Sequence, residues 1–187
     1  MNSPVYVNLE FTPNPNTLKY SVNRELLSKG ALNFTKKSDA VGKAPLAEKL
    51  FDIPGIAGVM IGRDFVTVTK ADHGEWDFVH AETLSRIEGF FANGVEAAVR
   101  ADSVPGAGAR ESSAIETRIQ EFLDREIRPA VAMDGGDIAL DRYEDGVVYL
   151  YLQGSCAGCP SSTMTLKMGI ETRLKQLMPE VREVLSI

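Results

Sequence analysis

Val147-Val148-Tyr149-Leu150-Tyr151-Leu152-Gln153-Gly154-Ser155-Cys156-Ala157-Gly158-Cys159-Pro160-Ser161-Ser162 is the stretch from which the rest of the chain can be read. Its first half, Val147 to Leu152, is β-branched and aromatic enough for a strand. Its second half breaks at Gly154 and opens a helix at Pro160, where a missing N–H costs nothing. A Cys-x-x-Cys pair therefore sits where a strand gives way to a helix. Unpaired N–H groups and the positive end of the helix dipole favour thiolate there, and thiolate is what soft metals bind. The two-residue spacer puts both sulfurs on one side of the chain, and Gly158 with small Ala157 leaves backbone free to approach sulfide or thiolate. Two ligands do not complete a tetrahedral zinc or a four-iron site, and the only other soft or borderline candidates, His73 and His80, fall in the other half of the chain. A twofold dimer supplying Cys156 and Cys159 from each copy is the simplest closure.

Upstream, Asp137 to Tyr143 suits a second strand, and Glu144-Asp145-Gly146 joins it to the first as a tight hairpin. Downstream, Leu166, Ile170, Leu174 and Leu177 form the inward face of a helix over about 160–177 that Met178-Pro179 ends, and a last strand follows. Ser113 with Glu116 makes a Ser-x-x-Glu capping box, and Ile115, Ile119, Phe122, Leu123 and Ile127 continue its apolar face until Pro129 weakens the helix. A domain is thus expected over 113–187. Residues 95–112, rich in Ala, Ser and Gly, read as a flexible linker. Residues 1–94 read as a first domain. It has strands near Tyr6–Phe11 and Leu18–Val22, a helical turn opened by Pro45, a hairpin across Gly62-Arg63-Asp64, and a helix over 75–91 carrying Phe78, Val79, Leu84, Ile87 and Phe91, stopped by Asn93-Gly94. The fold class expected is two small α+β domains.

Composition narrows the function. The 187 residues are 44% hydrophobic and 25% charged with a net charge of −6, and no basic face is concentrated enough for a phosphate backbone, so nucleic acid is not an expected partner. No apolar run is long enough to span a membrane, and Met1 to Phe11 shows neither a signal nor a transit pattern, which points to a cytosolic or an already processed organellar form. Two cysteines make no disulfide framework. A thioredoxin-like dithiol would use the same pair, but only residues 160–187 follow it, too few for the elements that arrangement needs. Inert buried thiols or a zinc clasp are the plain alternatives.

Other features read as structural. Asp134-Gly135-Gly136-Asp137 lacks calcium-loop spacing and suits a turn lying close to the cysteine loop. Gly42-Lys43 lacks the glycine that a phosphate loop needs at Lys37, and Lys36, Lys37 and Lys43 read as solvated surface. His73 and His80 read as ordinary histidines, Trp76 as a packing anchor, Thr12–Thr17 as a structural turn, and Met164 and Met168 as core packing with an adaptable surface as the alternative.

Met133-Asp134-Gly135-Gly136-Asp137, Gly146-Val147-Val148 and Leu152 to Glu171 together resemble the C-terminal domain of NifU-like proteins. Phe11-Thr12-Pro13-Asn14-Pro15-Asn16-Thr17-Leu18-Lys19, Leu50-Phe51-Asp52-Ile53-Pro54-Gly55 and Asp64 to Lys70 are similar to the N-terminal domain of Nfu-type iron–sulfur carriers. The resemblance implies a carrier, not an enzyme, that holds a [4Fe–4S] cluster between two subunits, with [2Fe–2S] as the alternative. It implies Cys156 and Cys159 as ligands, an upstream assembly scaffold as donor and apo iron–sulfur proteins as acceptors. The larger nitrogen-fixation relatives add cysteine-bearing scaffold and ferredoxin-like domains. Two cysteines leave this chain the relay of a finished cluster. A bacterial cytoplasm is expected, with the mitochondrial matrix for a processed form. A thiol–disulfide oxidoreductase and a zinc-clasped interaction module are the competing functions.

Overall fold

The computed structural model describes residues 5–92, 97–100, 113–157 and 160–187, with side chains in the last helix from Met164 onward. Two compact α+β units, Met1–Gly108 and Ala109–Ile187, make up the chain.

In the first unit, β1 (Val7–Phe11), β2 (Thr17–Val22), β3 (Leu32–Phe34), β4 (Ile56–Ile61) and β5 (Phe65–Lys70) form one sheet in the order β1-β2-β5-β4-β3. All its pairings are antiparallel, with Leu18 set opposite Phe11 on one side and Val68 on the other. Short α1 (Lys37–Ala40) and α2 (Pro45–Leu50) precede β4, and α3 (Trp76–Ala92) follows β5. Tyr20, Val59, Ile61, Val66 and Val68 from the sheet, Leu46 and Leu50 from α2, and Val79 and Ile87 from α3 are buried in a common core. The inward stripe of α3 is Val79, Thr83, Ile87, Phe90 and Phe91, and Phe78, expected inside, is 50% exposed. The stripe recurs every four residues through Thr83, a polar position that hydrophobicity alone passes over. Asn93-Gly94, the expected stop, lies outside the described residues.

Packing in this unit continues beyond Gly94. Ala98 and Val99 are buried in the first core, the Leu46 N–H donates to the Ala98 carbonyl at 3.4 Å, and the Arg100 N–H donates to the Lys43 carbonyl at 2.8 Å. Two small apolar residues in a low-complexity stretch carry no period, so composition reads them as linker although they seal α2. Residues 101–112 of the expected linker lie outside the described residues.

In the second unit, α4 (Ala114–Phe122) passes through a π-helical turn, Leu123–Ile127, into α5 (Arg128–Met133). The wide turn absorbs Pro129, which sits in the first turn of α5, so the chain stays helical where weakening was expected. Antiparallel β6 (Gly136–Glu144) and β7 (Val147–Gly154) follow, joined by Asp145 (φ 46°) and Gly146 (φ 83°), the two left-handed residues of a tight hairpin. Then α6 (Pro160–Leu177) crosses over to β8 (Glu183–Ser186), which pairs parallel to β7. Ile119, Leu123, Ile138, Val148, Ile170, Leu174 and Met178 fill the core. Leu177, expected inside, is 43% exposed, and Met178 takes its place because it continues the four-residue stripe from Ile170 and Leu174.

The expected capping box is formed. Ser113 Oγ accepts from the Glu116 N–H at 3.2 Å, and the Ser113 N–H donates back to Glu116 Oε2 at 2.9 Å. Buried Glu116 also accepts from the Tyr143 N–H at 3.2 Å, tying the helix start to β6. Ser113→Ala is expected to lower the stability of this unit by about 1 kcal/mol. Glu116→Ala is expected to cost more, because it also takes the carboxylate partner from the half-buried Tyr143 N–H. Urea unfolding of the three proteins gives the comparison, and equal costs for the two variants would refute the tie.

Candidate metal centre

Strand β7 must stop abruptly for its next residues to reach α6, and Gly154, at φ 61°, provides the reversal. A tight turn follows, in which the Cys156 N–H donates to the Gln153 carbonyl at 3.3 Å and the Ala157 N–H to the Gly154 carbonyl at 3.1 Å. On the facing segment, Gly135 (φ 76°) closes α5, its N–H donating to the Ala132 carbonyl at 3.1 Å. The two turns are laced together: the Ser155 N–H donates to the Gly135 carbonyl at 3.1 Å, and the Ser155 hydroxyl to the Asp134 carbonyl. Gly136 lies opposite Gly154 in register, and a Cβ built on it would stand 2.2 Å from Cys156 Sγ. The Gly-Gly pair therefore does what the sequence suggests. It lets one backbone lie against the cysteine loop.

Cys156 is 8% exposed and lines a cavity of about 250 Å³ with Val131, Asp134, Thr165 and Leu166. Gly158 and Cys159 lie outside the described residues. Among the described residues, no three or more His, Cys, Asp and Glu side chains gather as a metal site. His73 and His80 belong to the first unit. His73 is exposed, and His80 Nδ1 sits 3.2 Å from the Tyr20 hydroxyl. Trp76 donates its indole N–H to the Pro15 carbonyl at 3.0 Å, and Thr12 donates to the Thr17 carbonyl at 2.8 Å, so the Thr12–Thr17 loop is a self-bonded turn. Met164 and Met168, expected in the core, are 65% and 63% exposed, and Met133 is 75% exposed. The four-residue spacing of Met164 and Met168 beside apolar positions misleads, because the buried stripe of α6 runs through Ile170 and Leu174 instead.

Behind the loop stands an ionic tie that sequence reading missed. Arg128 Nη1 reaches Asp124 Oδ1 at 2.6 Å, and its Nε reaches Asp137 Oδ1 at 3.3 Å and the Ile138 carbonyl at 3.0 Å. Arg128 thereby pins the start of β6, next to Gly136, onto α5. The i, i+4 spacing of Asp124 and Arg128 is visible in the sequence, but the link to Asp137 needs the hairpin folded back. Burial pushes the Asp137 carboxyl above its usual range, against the pull of Arg128 and the Ile138 N–H, with Asp124 adding to the push. A carboxyl raised in the folded state stabilises the fold while protonated. Its contribution is whole below the unfolded pKa of about 3.9 and is lost as pH rises through the higher folded value. The stability of the parent protein relative to Asp137→Asn is therefore expected to fall as pH rises from about 4. Urea unfolding across that range measures it, and a difference that grew with pH would contradict the burial argument.

The NifU-like domain matches residues 119–185, and the N-terminal domain described as scaffold protein Nfu/NifU matches residues 7–94. The human protein named NFU1 iron-sulfur cluster scaffold homolog, mitochondrial, is 39% identical over 181 residues, covering 96% of this chain and 71% of the relative. Its counterpart from Drosophila grimshawi is 39% identical over 182 residues, and the chain spans 60% of that relative. A solution NMR structure of a NifU-like protein from Saccharomyces cerevisiae is 25% identical, with a TM-score of 0.46, covering 52% of this chain and 89% of that one. With an Nfu/NifU N-terminal domain followed by a NifU-like domain, and with that identity to the human protein across nearly its whole length, the chain belongs to the Nfu/NifU family of scaffold proteins.

Proposed function

We propose that this protein is an iron–sulfur cluster carrier: two copies hold one [4Fe–4S] cluster through Cys156 and Cys159 of each, and the pair hands it to apo-proteins. The observation that carries the reading is Cys156 itself, set at a strand-to-helix junction, backed by a glycine with no room for a Cβ, and facing a cavity in a chain that has only two cysteines. The names of the curated relatives, iron-sulfur cluster scaffold homologs, support the cargo. Iron–sulfur clusters are held by four thiolates, so a chain with two must share the site. The names also carry the word mitochondrial, which supports the mitochondrial alternative. Among the described residues no helix is long and apolar enough to cross a membrane.

Delivery follows from ligand exchange. An acceptor thiol loses its proton and bonds to iron, and the displaced carrier thiolate takes up a proton, so charge and electrons balance without a redox step. One copy can keep its pair of thiolates while the acceptor displaces the other copy's pair, and the cargo never becomes free iron. No general base is called for, and the cavity beside Cys156 has one carboxylate, Asp134, at its exposed rim. The test is anaerobic native mass spectrometry of the reconstituted protein, with iron, sulfide and zinc counted on the same sample. A dimer with four irons and four sulfides is expected. A monomer with a full cluster, a dimer with one zinc, or a metal-free dithiol would overturn the reading.

A further inference from the structure

The first unit carries a second built site, independent of the cysteines. β1 ends the five-stranded sheet, and among the described residues no strand pairs with its outer edge. An end strand leaves alternate N–H and C=O groups facing outward. The same strand walls a cleft of about 440 Å³. Leu9 and Phe11, two residues apart and so on one face, line it with Leu18, which lies directly opposite Phe11 in register. Trp76, Asp77 and His80, from the first two turns of α3, line the other side.

This cleft is held in shape. The Trp76 indole is bonded to the Pro15 carbonyl at 3.0 Å, and the His80 ring stacks on Tyr20 at 5.8 Å with its Nδ1 at 3.2 Å from the phenol oxygen. Its rim is left incomplete. Phe11 is 85% exposed, and Asp77 makes no ion pair among the described residues. Asp72, Glu75 and Asp77 place three carboxylates in the six residues that enter α3, with no lysine or arginine among them. A helix N-terminus favours an acidic residue at position 77, but does not explain why that residue shares a cleft with two aromatic side chains. A carboxylate that shares a cleft with aromatic side chains is an arrangement that binds an ammonium or guanidinium, by charge pairing and by cation–π attraction. Every second side chain of a strand added to β1 would point to the α3 face, into the mouth of the cleft.

We propose that this cleft receives a lysine or arginine side chain of an extended partner segment that pairs with the outer edge of β1. The acidic rim selects a basic segment, and the strand edge selects an extended one.

Trp76 is the only tryptophan of the chain, so its fluorescence reports on the cleft in the full-length protein. The probes are a blocked hexapeptide of alternating valine and lysine, the same peptide with glutamate for lysine, and the lysine peptide with N-methylated backbone amides. A saturable change in Trp76 emission is expected with the lysine peptide, and binding about tenfold weaker or worse with each of the other two. Asp77→Asn is expected to weaken the lysine peptide about tenfold, and Phe11→Ala to weaken it while leaving the melting temperature unchanged. No saturable change, equal binding of the lysine and glutamate peptides, full binding of the methylated peptide, or an unaltered Asp77→Asn would each overturn the proposal. So would a change in Trp76 emission on concentrating the protein alone, which would assign the cleft to a second copy.

Discussion

Cys156→Ser is expected to leave the reconstituted protein without bound iron or sulfide, while its far-ultraviolet circular dichroism stays that of the parent. In the proposed shared site each copy would supply two of four thiolates, so a single substitution would remove two ligands per dimer, and a serine hydroxyl is a harder and far less acidic donor than a thiol. Cys156 is also a core residue at 8% exposure, touching Gly136. Serine there is slightly smaller and places a hydroxyl in an apolar setting, at a cost of about 1–3 kcal/mol if it finds no partner. Cys159→Ser, made in parallel, removes the other thiol and leaves Cys156 unchanged beside Gly136. Iron and sulfide analysis after anaerobic reconstitution is the measurement. Retention of a full cluster by either variant would refute the ligand assignment.

Gly136→Ala carries the second large effect, and here the backbone rather than the ligand is changed. The new methyl would stand 2.2 Å from Cys156 Sγ and 3.2 Å from both its Cβ and its backbone nitrogen. The sulfur could rotate away, but the nitrogen belongs to the turn laced to Gly135 through Ser155, and the Arg128 tie holds β6 from behind. Relief requires the two segments to part. We expect a loss of about 1–3 kcal/mol in the stability of the second unit together with faster loss of cluster. Gly169→Ala is the control. At that exposed position in the middle of α6 a Cβ would meet nothing within 4 Å, and alanine should stabilise the helix by up to about 1 kcal/mol without altering cluster retention. Thermal unfolding and the decay of cluster absorbance, measured on both variants, decide it. Equal behaviour of the two would mean that the glycine does not set the position of the thiol.

Local chemistry was legible wherever one short stretch decides its own conformation. The Ser113–Glu116 box, the Asp145-Gly146 hairpin and the opening of α6 at Pro160 all follow from which backbone donors a residue can cap or do without. Helix faces were less secure. Phe78, Leu177, Met164 and Met168 are apolar and near the right spacing, yet all four face outward, because a helix turns toward the stripe that its neighbours can bury, and in α3 that stripe includes Thr83. Ala98 and Val99 were invisible as core for the opposite reason. They are too few to make a period, and only the start of α2 shows what they cover.

The amino-acid sequence by itself determined the chemistry on offer: two thiols three residues apart, a glycine pair able to lie close to them, and two α+β halves to which the family's motifs belong. Only the tertiary structure decided that Gly136 rather than another residue abuts Cys156, that Arg128 links Asp124 to Asp137, and that Phe11, Trp76 and Asp77 meet beside an unpaired strand. The division has one physical cause. Capping, turns and side-chain spacing are set by bonds within a few residues, whereas strand register and packing bring together groups that are 20 to 66 residues apart, such as Gly136 with Cys156 and Phe11 with Asp77, and nothing local records those meetings.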